Sequence, residues 1–177
     1  VYADYLDGVQ KRFKLIPPHN FGPPERCYYT VITEYPAFTV NHFGKGMGIY
    51  VPRTPGSLYY QQGHTNTLDF AADLLEGIAG LSPITGNLSP MVEVTLFEGR
   101  ERQHQLLHLV NGSGHFGVTF FAPSIMMDLE VSVPVSCQPS KVESLVNGIA
   151  YGFSLEGNEL VIRIPELELF DAIRISS

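Results

Sequence analysis

Tryptophan is absent from this sequence of 177 residues, cysteine occurs only twice, and charged residues make up 16% of it. Low charge excludes an acidic disordered chain and a charge-laced coiled coil, and 17 Gly without a collagen period exclude a triple helix. Basic residues are scarce as well: 11 Lys+Arg stand against 18 Asp+Glu, a net charge of −7. A nucleic-acid surface needs clustered positive charge, so no nucleic-acid partner is expected. No apolar run approaches the roughly 18 residues of a membrane span, and no membrane partner is expected. The opening Val-Tyr-Ala-Asp-Tyr has neither the basic start nor the apolar stretch of a secretory signal, and no initiator Met, which reads as a fragment or a processed product.

The two cysteines, Cys27 and Cys137, lie far apart and in no metal-binding spacing. Two buried free thiols are expected ahead of one long-range disulfide, because free Cys is among the most buried residue types. The compartment stays open, with the cytoplasm favoured.

What the sequence does contain is apolar residues (44%) punctuated by Gly and by 13 Pro, a composition suited to short strands and tight turns. A chain of this length forms one domain or two small ones and can bury a real core. Charge is uneven along it: residues 1–89 carry 6 basic and 7 acidic side chains, residues 90–177 carry 5 and 11.

Residues 1–26 read as loop, with a basic cluster Lys11-Arg12-Phe13-Lys14 and prolines at 17, 18, 23 and 24. Cys27–Thr33 has strand composition and ends at Pro36. Phe38–Phe43 and Met47–Val51 are two more candidate strands about the turn Gly44-Lys45-Gly46. One clear helix follows. Asn66 is a candidate cap with Asp69 in the first turn, and Leu68, Ala71, Ala72, Leu75 and Ile78 form a stripe of helical period up to Gly77 or Gly80. Leu81–Pro90 has linker composition. The expected division is therefore a small α/β segment over 1–89 and a second domain over 90–177.

Beyond Pro90, seven short strands are expected: 91–97, 105–110, 127–133, 142–146, 150–155, 160–164 and 170–175. The first and third alternate apolar and polar residues, and Asn147-Gly148 and Gly157-Asn158 supply turns. Regular strand spacing of this kind indicates an antiparallel β-sandwich. The fold class is mainly β, a sandwich of about seven strands preceded by a small α/β segment with one helix.

No catalytic signature emerges. Among the six histidines (19, 42, 64, 104, 108 and 115), His104 and His108 are four apart, which on a helix would suit a shared metal. The intervening Gln105-Leu106-Leu107 reads as strand, where four residues span about 13 Å. Glu166 with Glu168, and Asp128 with Glu130, are the carboxylate pairs a glycosidase could use. Both alternate with apolar residues and are expected on a solvated sheet face. Gly112-Ser113-Gly114-His115 is no nucleophile elbow, and Gly44-Lys45-Gly46 is too short for a phosphate loop. Neither cofactor nor metal is expected. Tyr28, Tyr29, Tyr50, Tyr59 and Tyr60 read first as structural and second as a glycan platform, since planar rings with a polar rim suit sugars. Tyr59, Tyr60 and His64 are the candidate carbohydrate contacts.

Several short motifs occur in a suggestive order: Pro23-Pro24-Glu25-Arg26-Cys27-Tyr28, Asn41-His42-Phe43-Gly44-Lys45-Gly46, Ile49-Tyr50-Val51-Pro52, and Leu58-Tyr59-Tyr60 with Gly63-His64. Together they resemble the end of the glutamine-amidotransferase-like (β-galactosidase trimerisation) domain of multidomain glycoside hydrolases. His108-Leu109-Val110-Asn111 and Ile164-Pro165-Glu166-Leu167 are similar to the β-sandwich that closes such chains. The resemblance, from about residue 21 to 176, implies a non-catalytic accessory region supporting assembly or cleft shape. It implies as partners an upstream catalytic domain of the same parent protein and a second copy in a homo-oligomer. The catalytic carboxylates of that family sit on a (β/α) barrel for which this sequence has no room, so no catalytic residue carries over. The rivals are a carbohydrate-binding sandwich and a small hydrolase using Glu166 or Glu168 with a histidine.

Overall fold

The computed structural model describes residues 2–17, 22–23, 25–99, 104–135 and 138–177. The chain divides into two compact units, Val1–Leu81 and Ser82–Ser177.

In the first unit, three strands form an antiparallel sheet in the order β1 (Gln10–Lys14), β2 (Pro36–Phe43), β3 (Gly46–Tyr50). Gly44 takes φ +59° in the β2–β3 turn, a left-handed conformation that glycine adopts without a Cβ clash. Helix α1 (Pro55–Gln62) begins with a proline in its first turn, where the missing N–H costs nothing. Gly63 ends it at φ +64°, its N–H donating to the Tyr59 carbonyl at 2.8 Å. Helix α2 (Thr65–Ala72) runs on into a π-helical turn over Asp73–Ile78. Alternation on β2 sends Phe38 and Val40 inward against Leu74, with Ile49, Val51, Phe70 and Ile78 around them. The Phe38 and Phe70 rings meet edge to face at 5.9 Å.

Several expectations for this unit are corrected. The basic cluster expected in a loop is strand β1, paired with β2 from Gln10↔Val40 to Lys14↔Pro36 and exposed along its whole length. Cys27–Thr33 is not a strand. Thr33 instead directs both its N–H and its hydroxyl to the Leu15 carbonyl, and Pro36 opens a strand rather than ending one. Asn66 lies inside α2, whose N-cap is His64, because extended backbone persists to that residue. Cys27 is partly exposed rather than buried, and Cys137 lies outside the described residues.

The second unit is the expected sandwich. One sheet has the order β10 (Lys141–Ser144), β13 (Phe170–Ser176), β6 (His104–Asn111), β5 (Val92–Glu98). The other has the order β11 (Gly152–Glu156), β12 (Glu159–Leu167), β9 (Met126–Pro134), β4 (Thr85–Gly86). All neighbours are antiparallel. A separate ribbon joins β7 (His115–Phe116) to β8 (Thr119–Phe120). Inward residues of both sheets form one core, Leu107, Leu109, Ile173 and Ile175 facing Val131, Val133, Leu160 and Ile162. This period-2 burial is why a strand such as β9 reads as alternation in sequence.

The division between units precedes the Pro90 boundary read from composition. Ile84 and Leu88 pack on the sandwich core, and β4 pairs with β9. Gly86 permits that pairing: a Cβ there would stand 2.1 Å from the Glu130 carbonyl oxygen. Asn87 completes the edge. Its Nδ2 donates to the Asp128 carbonyl, and its Oδ1 accepts from the Glu130 N–H at 2.8 Å.

Candidate functional site

A cleft of about 340 Å³ opens in the sandwich unit where the β12–β13 turn meets the segment joining β10 to β11. Glu166, Glu168 and Phe170 form one wall, Val146, Asn147 and Ile149 another, and Tyr151 and Asp171 lie between them. Both walls are tied down. Ser144 Oγ accepts the N–H groups of Val146 and Asn147, while Asn147 Oδ1 accepts that of Ile149. On the other side, the Asn111 N–H donates to the Leu169 carbonyl, and Asn111 Nδ2 donates to the Glu168 carbonyl at 2.7 Å.

Asp171 anchors this arrangement from 4% exposure. Its Oδ1 accepts from Ser144 Oγ (2.6 Å) and from the Ala172 N–H (2.7 Å), and its Oδ2 accepts from the Tyr151 hydroxyl (2.7 Å). A buried carboxyl group so fully hydrogen-bonded is a structural anchor. Burial pushes the Tyr151 phenol above its ordinary value, and the hydrogen bond to Asp171 adds to the shift. No histidine joins these hydrogen bonds, and the Ser144 proton is directed at Asp171. Ser144 therefore serves as a donor to Asp171.

Glu166 and Glu168 are exposed on the cleft wall, as expected of solvated carboxylates. Asp128 and Glu130 are exposed too, and Glu130 Oε1 accepts from Arg163 Nε at 3.2 Å. His104 and His108 lie on β6 between the inward Gln105, Leu107 and Leu109. His108 packs edge-on to Phe97 at 5.3 Å, and His115 stacks on Phe120 at 4.9 Å. His42 and His64 are exposed, and His19 lies outside the described residues. Among the described residues, no group of three His, Cys, Asp or Glu side chains could hold a metal ion.

Tyr59 and Tyr60 are neighbours on α1, Tyr59 half-buried and Tyr60 89% exposed, and His64 caps the next helix. The pocket beside them is walled by Arg53, Pro55, Leu58, Asn66, Thr67 and Phe70, none of the three tyrosine and histidine candidates. Among the described residues, no helix is long and apolar enough to cross a membrane.

The sequence-legible candidates thus stay scattered. The side chains that the fold does bring together, Ser144, Tyr151 and Asp171, sit on separate strands and loops and form no motif. Only the polar Asp171, beside the apolar alternation of β13, hinted at a buried polar anchor.

These features define a mainly β chain, a small α/β unit and an antiparallel sandwich. No protein-family model matches the sequence, and no curated protein matches it. Among solved structures, the chain is similar to alpha-L-fucosidase isoenzyme 2 from Paenibacillus thiaminolyticus, with a TM-score of 0.57 and 16% identity over 84% of this chain. The chain spans 23% of the length of that enzyme. A cycloisomaltooligosaccharide glucanotransferase from Paenibacillus sp., complexed with cycloisomaltoheptaose, aligns with 51% of this chain and 16% of its own, at 13% identity and a TM-score of 0.43. The first likeness is one of fold.

Proposed function

We propose that this chain is a non-catalytic accessory region of a glycoside-hydrolase-like protein, supporting assembly of the parent or the shape of its cleft. The observation that carries the reading is the exposure of the first unit. Its described residues bury only three hydrophobic side chains, Phe38, Val40 and Leu74, against fourteen in the sandwich core. Meanwhile Phe13, Tyr28, Val31, Phe43, Leu58 and Tyr60 remain exposed. So many exposed apolar side chains around so small a core support a protein-protein contact. The two sheet edges differ as well. Lys11, Arg12 and Lys14 guard β1, whereas the β3 edge reads Gly-Met-Gly-Ile-Tyr without a charge. An uncharged edge accepts a further strand, and charged edges repel one. The fold likeness to part of a longer fucosidase agrees with such a role.

The test is deletion of this segment from a longer glycoside-hydrolase-like polypeptide. Loss of oligomeric state or of turnover is expected, and retention of both would overturn the reading. A second reading, a carbohydrate-binding module, is favoured by the Tyr60 ring standing in solvent beside Tyr59 and His64. It expects saturable glycan binding that Tyr59→Ala and Tyr60→Ala weaken. Flat titrations over a broad glycan panel would dispose of it.

A further inference from the structure

The β7–β8 ribbon is an unusual object for the surface of an acidic domain. No charged residue occurs from His104 to Met127. Phe116 and Phe120 are each 78% exposed, Phe121 65% and Val118, in the turn, 97%. Cross-strand pairing sets Phe116 opposite Thr119 and Phe120 opposite His115, so the two rings lie on opposite faces of the ribbon. Beyond His115 stacked on Phe120, both faces stand open, and a lone two-stranded ribbon is marginal in water. Its base is nonetheless firmly held. Phe121 N–H donates to the Gly114 carbonyl at 2.8 Å, and a Cβ on Gly114 would stand 2.1 Å from the Phe121 carbonyl oxygen. Asn111 Nδ2 donates to the Ser124 carbonyl at 2.8 Å, and Ser113 Oγ accepts the Ser124 N–H. A rigid base under an apolar tip describes a ribbon built to insert.

A receptor for it lies on the same unit. The cleft beside Asp171 presents Val146, Ile149 and Phe170, each about half exposed, and has volume for an aromatic side chain. Asn111 links the two features, since the same side-chain amide holds Ser124 at the ribbon base and Glu168 on the cleft wall. Ribbon base and cleft wall therefore hang on one side chain, and a self-complementary surface is what a two-fold dimer requires. The ribbon does not fill its own cleft, because its rings stay exposed. One ring enters the cleft and the partner's surface around it covers the other two; at about 150–250 Å² per buried aromatic, the three Phe rings together would remove roughly 330–550 Å² from water. Val118 and Ile125 extend that toward the ~800 Å² per partner of a standard interface.

We propose that two copies of this chain associate end to end through their sandwich units, the β7–β8 ribbon of each inserting into the Val146–Ile149–Phe170 cleft of the other. This deepens the assembly reading, on which it rests, by naming the partner and the surface. Glu166 and Glu168 rim the cleft, no Lys or Arg lines it, and the ribbon has no Asp, Glu, Lys or Arg, so the contact is apolar between two acidic rims. Association therefore strengthens with ionic strength, the opposite of a contact held by ion pairs.

Light scattering behind size exclusion on the 177-residue chain tests this, at about 100 μM, where a micromolar dimer is largely formed. The expected result is twice the mass of one chain, with more dimer at higher salt. Phe120→Asp or Val118→Asp on the ribbon, and Ile149→Asp in the cleft, are each expected to give monomers with unchanged melting, all three side chains being exposed. Mixing a ribbon variant with the cleft variant restores one of the two insertions and is expected to return a heterodimer. A monomeric wild type at every salt concentration, or a mixture that stays monomeric, overturns the proposal. A dimer that survives both variants also overturns it, while leaving association through the first unit standing.

Discussion

The Tyr151 hydroxyl donates to Asp171 Oδ2 at 2.7 Å, and this bond joins the β10–β11 connection to β13 beneath the cleft. Twenty residues separate the partners in sequence. Removing the hydroxyl leaves a carboxyl oxygen buried without its donor, the costly side of the hydrogen-bond asymmetry. Tyr151→Phe is expected to destabilise the sandwich by about 1–3 kcal/mol, read as a lower urea midpoint at unchanged slope. An unchanged midpoint would mean that water replaces the phenol.

The same bond sets an alkaline limit. Burial, and then the hydrogen bond to Asp171, raise the Tyr151 phenol above its ordinary 10.0. The folded chain therefore holds this proton more tightly than the unfolded chain. The stability so gained is complete below pH 10 and is lost as pH rises from there through the folded value. Hydrogen exchange of β6, β9 and β12 amides is expected to show a steepening loss of protection above about pH 10. Tyr151→Phe should flatten that loss.

Glu143 gives the opposite sign. Lys141, first, and Arg174 hold its carboxyl below the usual range by hydrogen bonds that favour the charged form. Its contribution is present above the ordinary carboxylate value and disappears as pH falls through the lowered one. Glu143→Gln is expected to remove part of the acid-limb destabilisation, and added salt to shrink the difference between the two proteins. A pH profile of denaturation for both proteins at two salt concentrations checks this.

The sandwich was legible because strands such as β9, β12 and β13 have one wet and one dry face, which writes a period of two into the sequence. Where that cause is missing, the signal is missing. β1 is exposed throughout and shows no burial alternation, so Lys11-Arg12-Phe13-Lys14 reads as a charged loop. Helix α1 buries no residue, so no stripe marks it, and its starting Pro55-Gly56 imitates a turn. β4 is two residues long and sits in a segment of linker composition. Cys27–Thr33 shows the reverse error: aromatic and β-branched composition without a partner strand, leaving Tyr28, Val31 and Ile32 in solvent. The candidate cleft was less legible still. Glu166 and Glu168 stood out as a pair, but Ser144, Tyr151 and Asp171 are joined only by the fold.

Gly86 offers a test of the β4 edge. With φ at +152° and no room for a Cβ beside the Glu130 carbonyl, Gly86→Ala must push β4 away from β9. The expected cost is about 1–3 kcal/mol, typical of overpacking, with faster exchange at the Asn87 N–H that donates to Glu130. Equal stability of the variant would show that the edge yields freely.

Asn111 carries three side-chain hydrogen bonds in the sandwich and sits at 2% exposure. Its Nδ2 donates to Ser124 and Glu168, and its Oδ1 accepts the Ser113 N–H at 3.1 Å. Asn111→Ala leaves two carbonyls and one N–H without their partner at a site closed to bulk water. About 1–3 kcal/mol for such a group makes this variant at least as destabilised as Tyr151→Phe. Asn111→Asp separates geometry from charge: it keeps the acceptor for Ser113 but turns an oxygen toward two carbonyl oxygens. If the amide serves to hold the ribbon base against the β12–β13 turn, both variants speed exchange over residues 113–124 while β9 and β12 amides keep their protection relative to global unfolding. Uniform loss across the sandwich would instead make Asn111 an ordinary core contact, with no particular hold on the ribbon.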